Sequence, residues 1–320
     1  MKSGLFKTAF AILALCTALI ALPSAASAAM YKFSGGPSGG TFMYYANGIA
    51  QLVKTPDIRI LASASNGSVE NVRLVDSGRA SMGVAYAGDV FLARKGELTG
   101  DTRKYENVMA IGYFYGAPAH MIVRADAKIN STADLAGKRV GVGDAGSGAA
   151  SNAERYFTQL KVWDKMKPQF IGYRNAAAAF GNNQLDGFWV FAGFPNSSVI
   201  EAALQNDVKI MSLWSDAQKG GLVAEYPFYS KVVIPANTYK GQTQPVETIQ
   251  DGAIWVVNKD VPADVVYEMT KEVYSPEGFK HLIEIHKSAQ EMSIEGGLTG
   301  IATPVHPGAA KYWKEKGVLK

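Results

Sequence analysis

Cysteine is almost missing from this chain: the one example in 320 residues is Cys16. It lies in an apolar stretch, Ala9 to Leu22, that follows Lys2 and Lys7 and precedes the small residues Ala26, Ser27 and Ala28. That is the three-part grammar of a secretory signal. The stretch is too short to span a bilayer, which takes roughly 20 apolar residues. Leu15 stands before Cys16 where a lipid-attachment signal wants a small residue, so no lipid anchor is expected. Residues 1–28 are therefore expected to be removed as a signal peptide and the remainder exported to the periplasm. That remainder holds no cysteine, so a packed core and not disulfides must hold it together.

Other absences narrow the function. After the leader no apolar run reaches membrane-spanning length. No Lys/Arg block occurs, and the net charge of +4 falls to about +2 without Lys2 and Lys7, so no nucleic-acid partner is expected. The four histidines, His120, His281, His286 and His306, form no H-E-x-x-H or other tight pair, so neither metal nor cofactor is expected. No G-x-S-x-G elbow or diagnostic carboxylate pair marks an enzyme. No tandem repeat or low-complexity tract stands out.

What is present is alternation. Short β-branched or apolar runs such as "YKFS", "DIRILASA" and "ASMGVAY" alternate with helix-like segments after Gly/Ser/Asn breaks, and Gly78 reads as a helix stop. Strand-then-helix units of this length point to parallel sheets. The same grammar restarts at "KRVGVGDAG", with Ser147 as the N-cap of the following helix. The remaining 292 or so residues exceed the usual single core, so two lobes are expected. Two long β-like tracts, "ENVMAIGYFYGAPAHMIVRAD" and "ETIQDGAIWVVNKD", read as hinges by which the chain enters lobe II (124–244) and returns to lobe I (29–123 plus 245–320). The C-terminal segments starting at Pro262 and Pro276 read as helices packed on lobe I.

Three glycine-bearing loops invite a binding reading. "GGPSGGT" is no Walker A loop, because Thr41 and not lysine follows Gly40. It is either a plain strand-to-helix turn or an anion-facing helix start. "GVGDAG" matches G-x-G-x-x-G with Asp164 some 20 residues on, yet its helix should start only at Ser147, which favours a second anion loop over a dinucleotide site. Tyr86, Trp189 and Phe191 stand near predicted strand ends, where open α/β sheets place ligands; the plain alternative for such aromatics is the core.

Six segments in order, "GGPSGGTFMYYANGIA", "SNGSVENVRLVDSGRASMGVAY", "GKRVGVGDAGSG", "FAGFPNSSVIE", "VVIPANTYKG" and "PVHPGAAKYWKEKG", resemble the TAXI family of solute-binding proteins, which serve TRAP-type secondary transporters. The resemblance covers nearly the whole chain after residue 28. It implies a two-lobe α/β periplasmic binding protein of type II, each lobe a mainly parallel sheet flanked by helices, joined by two hinge strands. It implies a non-enzymatic monomer that closes on a small organic anion, such as a dicarboxylate, 2-oxo acid or glutamate-like amino acid, and delivers it to a TRAP membrane permease driven by an ion gradient. Matching positions put the ligand near Ser38, Thr41 and Tyr44, near Asn66, Gly67 and Ser68, and near Gly146, Ser147 and Gly148, with Gly193 of "FAGF" added. Where the family commonly reads T-x-G-S, a polar pair and a threonine, this chain has "SNGS", Tyr86-Ala87 and Ala149, so the cleft should be less polar and more aromatic than a glutamate site. Arg124, Arg174 and His120 are the candidate counter-charges. The competing readings are an ABC-importer component, a sensor and a two-lobe secreted hydrolase.

Overall fold

Strand β1 (Ala29–Ser34) opens the computed structural model, which describes residues 29–320 apart from Pro56 and Thr99; the expected signal segment lies outside the described residues. The glycine loop leads into α1 (Thr41–Leu52), whose buried Phe42, Tyr45, Ala46 and Ile49 recur at helical spacing. Then come β2 (Lys54–Thr55), β3 (Ile58–Ser63), α2 (Ser68–Asp76) and β4 (Met82–Tyr86). Gly78, at φ +71°, ends the α2 segment as expected. Helix α3 (Ala87–Lys95) follows β4 without a loop, a helix that no break in the sequence announces.

Strand β5 (Val108–Arg124) is followed by β6 (Arg139–Gly141), α4 (Gly148–Gln159), β7 (Lys167–Gln169), α5 (Tyr173–Gly181), β8 (Gly187–Phe191), α6 (Ser197–Gln205) and β9 (Val208–Ile210). Two short helices, α7 (Trp214–Lys219) and α8 (Leu222–Glu225), precede β10 (Ser230–Ile234) and β11 (Val246–Asn258); α9 (Ala263–Val273), α10 (Pro276–Ile285) and α11 (Pro307–Glu315) finish the chain. The dinucleotide pattern fails on its own geometry. Helix α4 opens two residues past Gly146, and Asp164 lies in a single 3-10 turn, Trp163–Lys165, instead of ending a strand.

The strand order is β2-β3-β1-β4-β11-β5-β8-β6-β7, with β10 added to β11 and β9 to β5. Pairs β1–β3 and β1–β4 are parallel in one lobe, as are β6–β7 and β6–β8 in the other. The two long tracts are the shared strands. β5 lies antiparallel to β11 from Val108 to Pro118 and to β8 from Ala119 to Val123; β11 pairs with β10 over Val246–Gln250 and with β4 over Ala253–Val257.

Aromatic packing fixes each lobe on these strands. Trp255 of β11 stacks on Phe33 and Phe114, with centroids 6.1 and 5.8 Å away. The C-terminal helices pack on lobe I as expected: Trp313 of α11 donates its indole N–H to the Ile111 carbonyl at 2.7 Å. A Cβ on Gly112 would lie 2.4 Å from the Tyr274 hydroxyl, so only glycine admits this close approach. In lobe II, Trp189 is wholly buried against Tyr156 and Phe157.

His120 sits in the hinge, fully buried, with Nδ1 3.1 Å from the Pro118 carbonyl and Nε2 3.0 Å from the Tyr239 hydroxyl. A carbonyl only accepts, so Nδ1 carries the proton and Nε2 accepts from Tyr239; the Tyr239 oxygen in turn accepts the Asn196 N–H at 3.0 Å. Burial pulls the His120 pKa from 6.5 down to about 4. The unfolded chain thus takes up a proton that the folded chain refuses, and stability present above pH 6.5 is lost as pH falls towards 4, by up to about 3 kcal/mol at roughly 1.4 kcal/mol per unit. Melting temperature measured across that window should fall more steeply for the wild type than for His120→Gln; equal slopes would exclude this role for His120.

Candidate functional site

Four helices begin at the carboxyl ends of parallel strands and aim their first turns at one cleft between the lobes. From lobe I come Pro37, Gly40, Thr41 and Phe42 at the start of α1, Asn66, Gly67 and Ser68 at the start of α2, and Tyr86 at the end of β4. From lobe II come Gly143, Asp144, Ser147, Gly148 and Ala149 around the start of α4, Gly172 and Tyr173 at the start of α5, and Phe191 and Ala192 at the end of β8. The lobes are nearly shut on it: the accessible space between them is about 20 Å³, room for about one water molecule.

Local chemistry leaves donors facing that space. Helices α1, α2 and α5 have glycine N-caps, Gly40, Gly67 and Gly172, that make no side-chain cap bond. The first-turn N–H groups of a helix have no acceptor within it, so the backbone of Thr41, Phe42, Ser68 and Val69 offers donors at the positive ends of helix dipoles. Helix α4 is capped as the sequence predicts, Ser147 Oγ accepting the Ala150 N–H at 3.0 Å, and its Gly148 and Ala149 N–H groups remain. Ser68 Oγ accepts the Tyr86 N–H at 2.9 Å, which leaves its hydroxyl proton for a ligand. Thr41 Oγ1 is buried with no partner among the described residues.

A buried asparagine sets the shape of the first two loops. Asn71 accepts from the Ser34 and Ser65 hydroxyls, each at 2.6 Å, and donates to the Gly35 and Val84 carbonyls. It thereby joins β1, β4 and both loops through one amide. The walls are aromatic: Phe42 lies 4.9 Å from Tyr86, which meets Phe191 edge-on at 4.9 Å. The Tyr86 and Tyr173 hydroxyls both donate to the Phe191 carbonyl, the former across the two lobes. Burial raises the pKa of both phenols, so they stay protonated donors.

The candidates divide on placement. Thr41, Asn66, Gly67, Ser68, Tyr86, Ser147, Gly148 and Phe191 line the cleft. Ser38 is exposed and outside the lining, Tyr44 turns outward to stack on His286 at 5.5 Å, and Gly146 is exposed on the turn before Ser147. Trp189 belongs to the lobe II core, and Gly193 packs by Ser288 and Tyr115 near the hinge. The proposed counter-charges lie elsewhere: Arg124 donates to Asn206 and the Phe180 carbonyl, Arg174 is exposed, and His120 is in the hinge. Asp144 is the one charged side chain among the described lining residues.

Sequence reasoning missed Phe42 and Tyr173 as walls, and it missed a buried ion pair between the lobes. Arg155 of α4 donates to Asp89 of α3 at 2.7 Å, with side chains 4% and 0% exposed. Burial works against the guanidinium's charge, yet Tyr229 and Asp89 hold its pKa above the ordinary value. Arg155 also donates to the Tyr229 hydroxyl at 3.1 Å, Tyr229 donates to Asn152, and Asn152 donates to the Gly148 carbonyl at 2.8 Å, which ends the chain at the cleft. The available signal was an arginine on the buried stripe of α4, beside Asn152 and Tyr156.

Two α/β lobes joined by two shared strands, with helix starts facing a cleft between them, make up this fold. The profile of the NMT1-like family matches residues 33–317, and the chain belongs to that family. Among solved structures it is similar to the periplasmic aliphatic sulphonate binding protein SsuA of Escherichia coli, with 14% identity over 90% of this chain and 83% of that one and a TM-score of 0.46. It is similar also to the alkanesulfonate-binding SsuA of Xanthomonas axonopodis pv. citri bound to MOPS, with 13% identity over 92% and 96% and a TM-score of 0.48. An arginine-specific periplasmic binding protein of Salmonella typhimurium matches at 17% identity over 80% and 98%, with a TM-score of 0.47.

Gly148 lies close against lobe I. A Cβ there would lie 2.4 Å from Ser68 Cβ, 2.7 Å from Asp89 Oδ2 and 2.9 Å from the Tyr86 ring, all on lobe I. Gly148→Val should therefore fold normally but stay open, with a larger radius of gyration in small-angle scattering than the wild type. An unchanged scattering profile would refute the wedge argument.

Proposed function

We propose that this chain is a periplasmic solute-binding protein that captures a small organic anion between its lobes and delivers it to a TRAP-type permease driven by an ion gradient. The observation that carries this reading is the convergence of the α1, α2, α4 and α5 starts, three of them capped by bare glycine, on one aromatic cleft. Those N–H groups and the hydroxyls of Thr41, Ser68 and Ser147 hold the carboxylate, each bond to a charged group contributing about 1.5 to 3 kcal/mol. Phe42, Tyr86, Tyr173 and Phe191 cover its body, which favours a carboxylate with a planar or apolar frame. A lobe comprising 29–123 and 245–320 and another comprising 124–244 close as units about β5 and β11, because a ligand touching both favours the arrangement in which they meet. Cleavage after residue 28 and export to the periplasm complete the role, and the six ordered motifs shared with the TAXI family support the permease class.

A thermal-shift screen across dicarboxylates, 2-oxo acids, amino acids and aromatic acids identifies the ligand, since one that binds only the folded state raises the melting temperature, by about 2.7 kcal/mol of stability at a hundredfold excess over Kd. Ser147→Asp then tests the geometry. Aspartate caps a helix as well as serine does, so the fold should persist, while its charge occupies the carboxylate's place. Calorimetry should show affinity for the identified acid reduced more than a hundredfold; unchanged affinity would remove the anion from the α4 start. Uptake by reconstituted permease should follow a sodium gradient and not ATP.

A further inference from the structure

Helix α4 carries one stripe of residues from the cleft to the buried ion pair. Gly148, Asn152 and Arg155 are spaced four and three positions apart and so share a face, and all three are buried. At one end of the stripe Gly148 meets Ser68 and Tyr86 of lobe I; two turns on, Arg155 meets Asp89. Asp89 is tied to the cleft in the same way, since it stands in the first turn of α3, which follows Tyr86 of β4 without a loop. Both partners are thus coupled through regular elements to residues that line the cleft, while neither lines it.

The pair is joined by a single bond. Arg155 Nη2 reaches Asp89 Oδ1 at 2.7 Å, while Arg155 Nη1 and Asp89 Oδ2 are buried with no partner among the described residues. Two parallel bonds are the strong form of an arginine–carboxylate contact; one bond offsets the desolvation of two charges less completely. Asp251 is buried nearby, but burial, and then the charge of Asp89, hold its carboxyl well above the ordinary range. It enters as a neutral acid, so the pair stays one carboxylate to one guanidinium. Such a contact holds the lobes together without welding them, which is the regime in which a ligand can decide between two arrangements.

We infer that Asp89 and Arg155 are the latch of the clamshell, positioning residues that set how tightly a ligand is retained without touching it. Tyr229 accepts from Arg155 Nε at 3.1 Å and donates to Asn152, whose amide reaches the Gly148 carbonyl at 2.8 Å, so the contact extends to the turn that presents the α4 donors. Neutralising one partner leaves the other bare and buried in the closed arrangement but solvated in the open one, and the balance moves towards open. The effect on affinity rests on the reading of the cleft as a capture site; the balance between the lobes does not.

The chain after residue 28 holds no cysteine, so spin labels at Leu61→Cys on β3 and Leu204→Cys on α6, positions 49% and 62% exposed, report one interlobe distance by electron paramagnetic resonance. Asp89→Asn, which keeps an oxygen for Arg155, should lengthen that distance in the folded chain and weaken the acid found in the thermal-shift screen by about tenfold or more. Saturating acid should restore the wild-type distance, which a merely misfolded variant would not do. Asp186→Asn, which breaks the Arg139–Asp186 pair within lobe II, should leave the distance unchanged. A folded Asp89→Asn with the wild-type distance, or an equal shift in Asp186→Asn, overturns the inference. Should Asp89→Asn fail to fold, Tyr229→Phe decides it: removing that one hydroxyl should lengthen the distance in part, and an unchanged distance overturns the latch. Should no acid bind, the proposed ligand class fails while the distances still test the latch.

Discussion

Strands β5 and β11 are the two elements, among the described residues, that pair with strands of both lobes, and their pairing is the constraint from which the rest follows. A strand must keep its backbone groups paired along its whole length. β5 does so by exchanging β11 for β8 between Pro118 and Ala119. The exchange falls at a residue with no N–H to donate, the kind of position a sheet tolerates for proline. Two residues before it, Gly116 faces Gly252 across the ladder, and the Gln250 side chain takes the space a Cβ on Gly116 would need. The hinge is thus located by backbone chemistry, and the cleft lies beside it because the neighbouring parallel strands β4 and β8 end there.

Buried polar groups join the lobes where they meet. Asp89 and Arg155 are both removed from water, and the cost of desolvating two charges is offset only when the pair is close and further hydrogen-bonded. Tyr229 and Asn152 extend the pair towards Gly148, and Tyr86 bonds across to the Phe191 carbonyl. Opening the lobes would return these charges to water; closing them with a side chain on Gly148 would be blocked. The ionic contact lies next to the cleft and not in it: neither Asp89 nor Arg155 lines that space.

Legibility in the sequence follows the range of the interactions involved. Helix starts were readable because glycine and serine breaks sit at fixed offsets from apolar runs, which put Thr41, Ser68 and Ser147 at the helix starts where the structure has them. Helix rotation was not. Tyr44 is one position before the buried Tyr45, about 100° around α1, and packing of Tyr45 and Ile49 turns it outward while Phe42 faces the cleft. Strand parity gave Trp189 and Phe191 the same face, yet the two differ in depth: Phe191 ends β8 at the cleft, and Trp189, roughly 7 Å back along the strand, is enclosed by Tyr156 and Phe157.

By itself the sequence determined the local grammar: a cysteine-free body, two runs of strand-and-helix units, long hinge tracts, and glycine-led helix starts with unsatisfied N–H groups. Each of these depends on neighbours within a turn or two of the chain. Tertiary structure alone decided which starts meet in one cleft, that Arg155 finds Asp89 across 66 positions of sequence, and that Asp251 is buried close to both of them. Those outcomes depend on the relative placement of two lobes. The physical reason is that burial and pairing of a charge are properties of the space around it, which no local periodicity encodes.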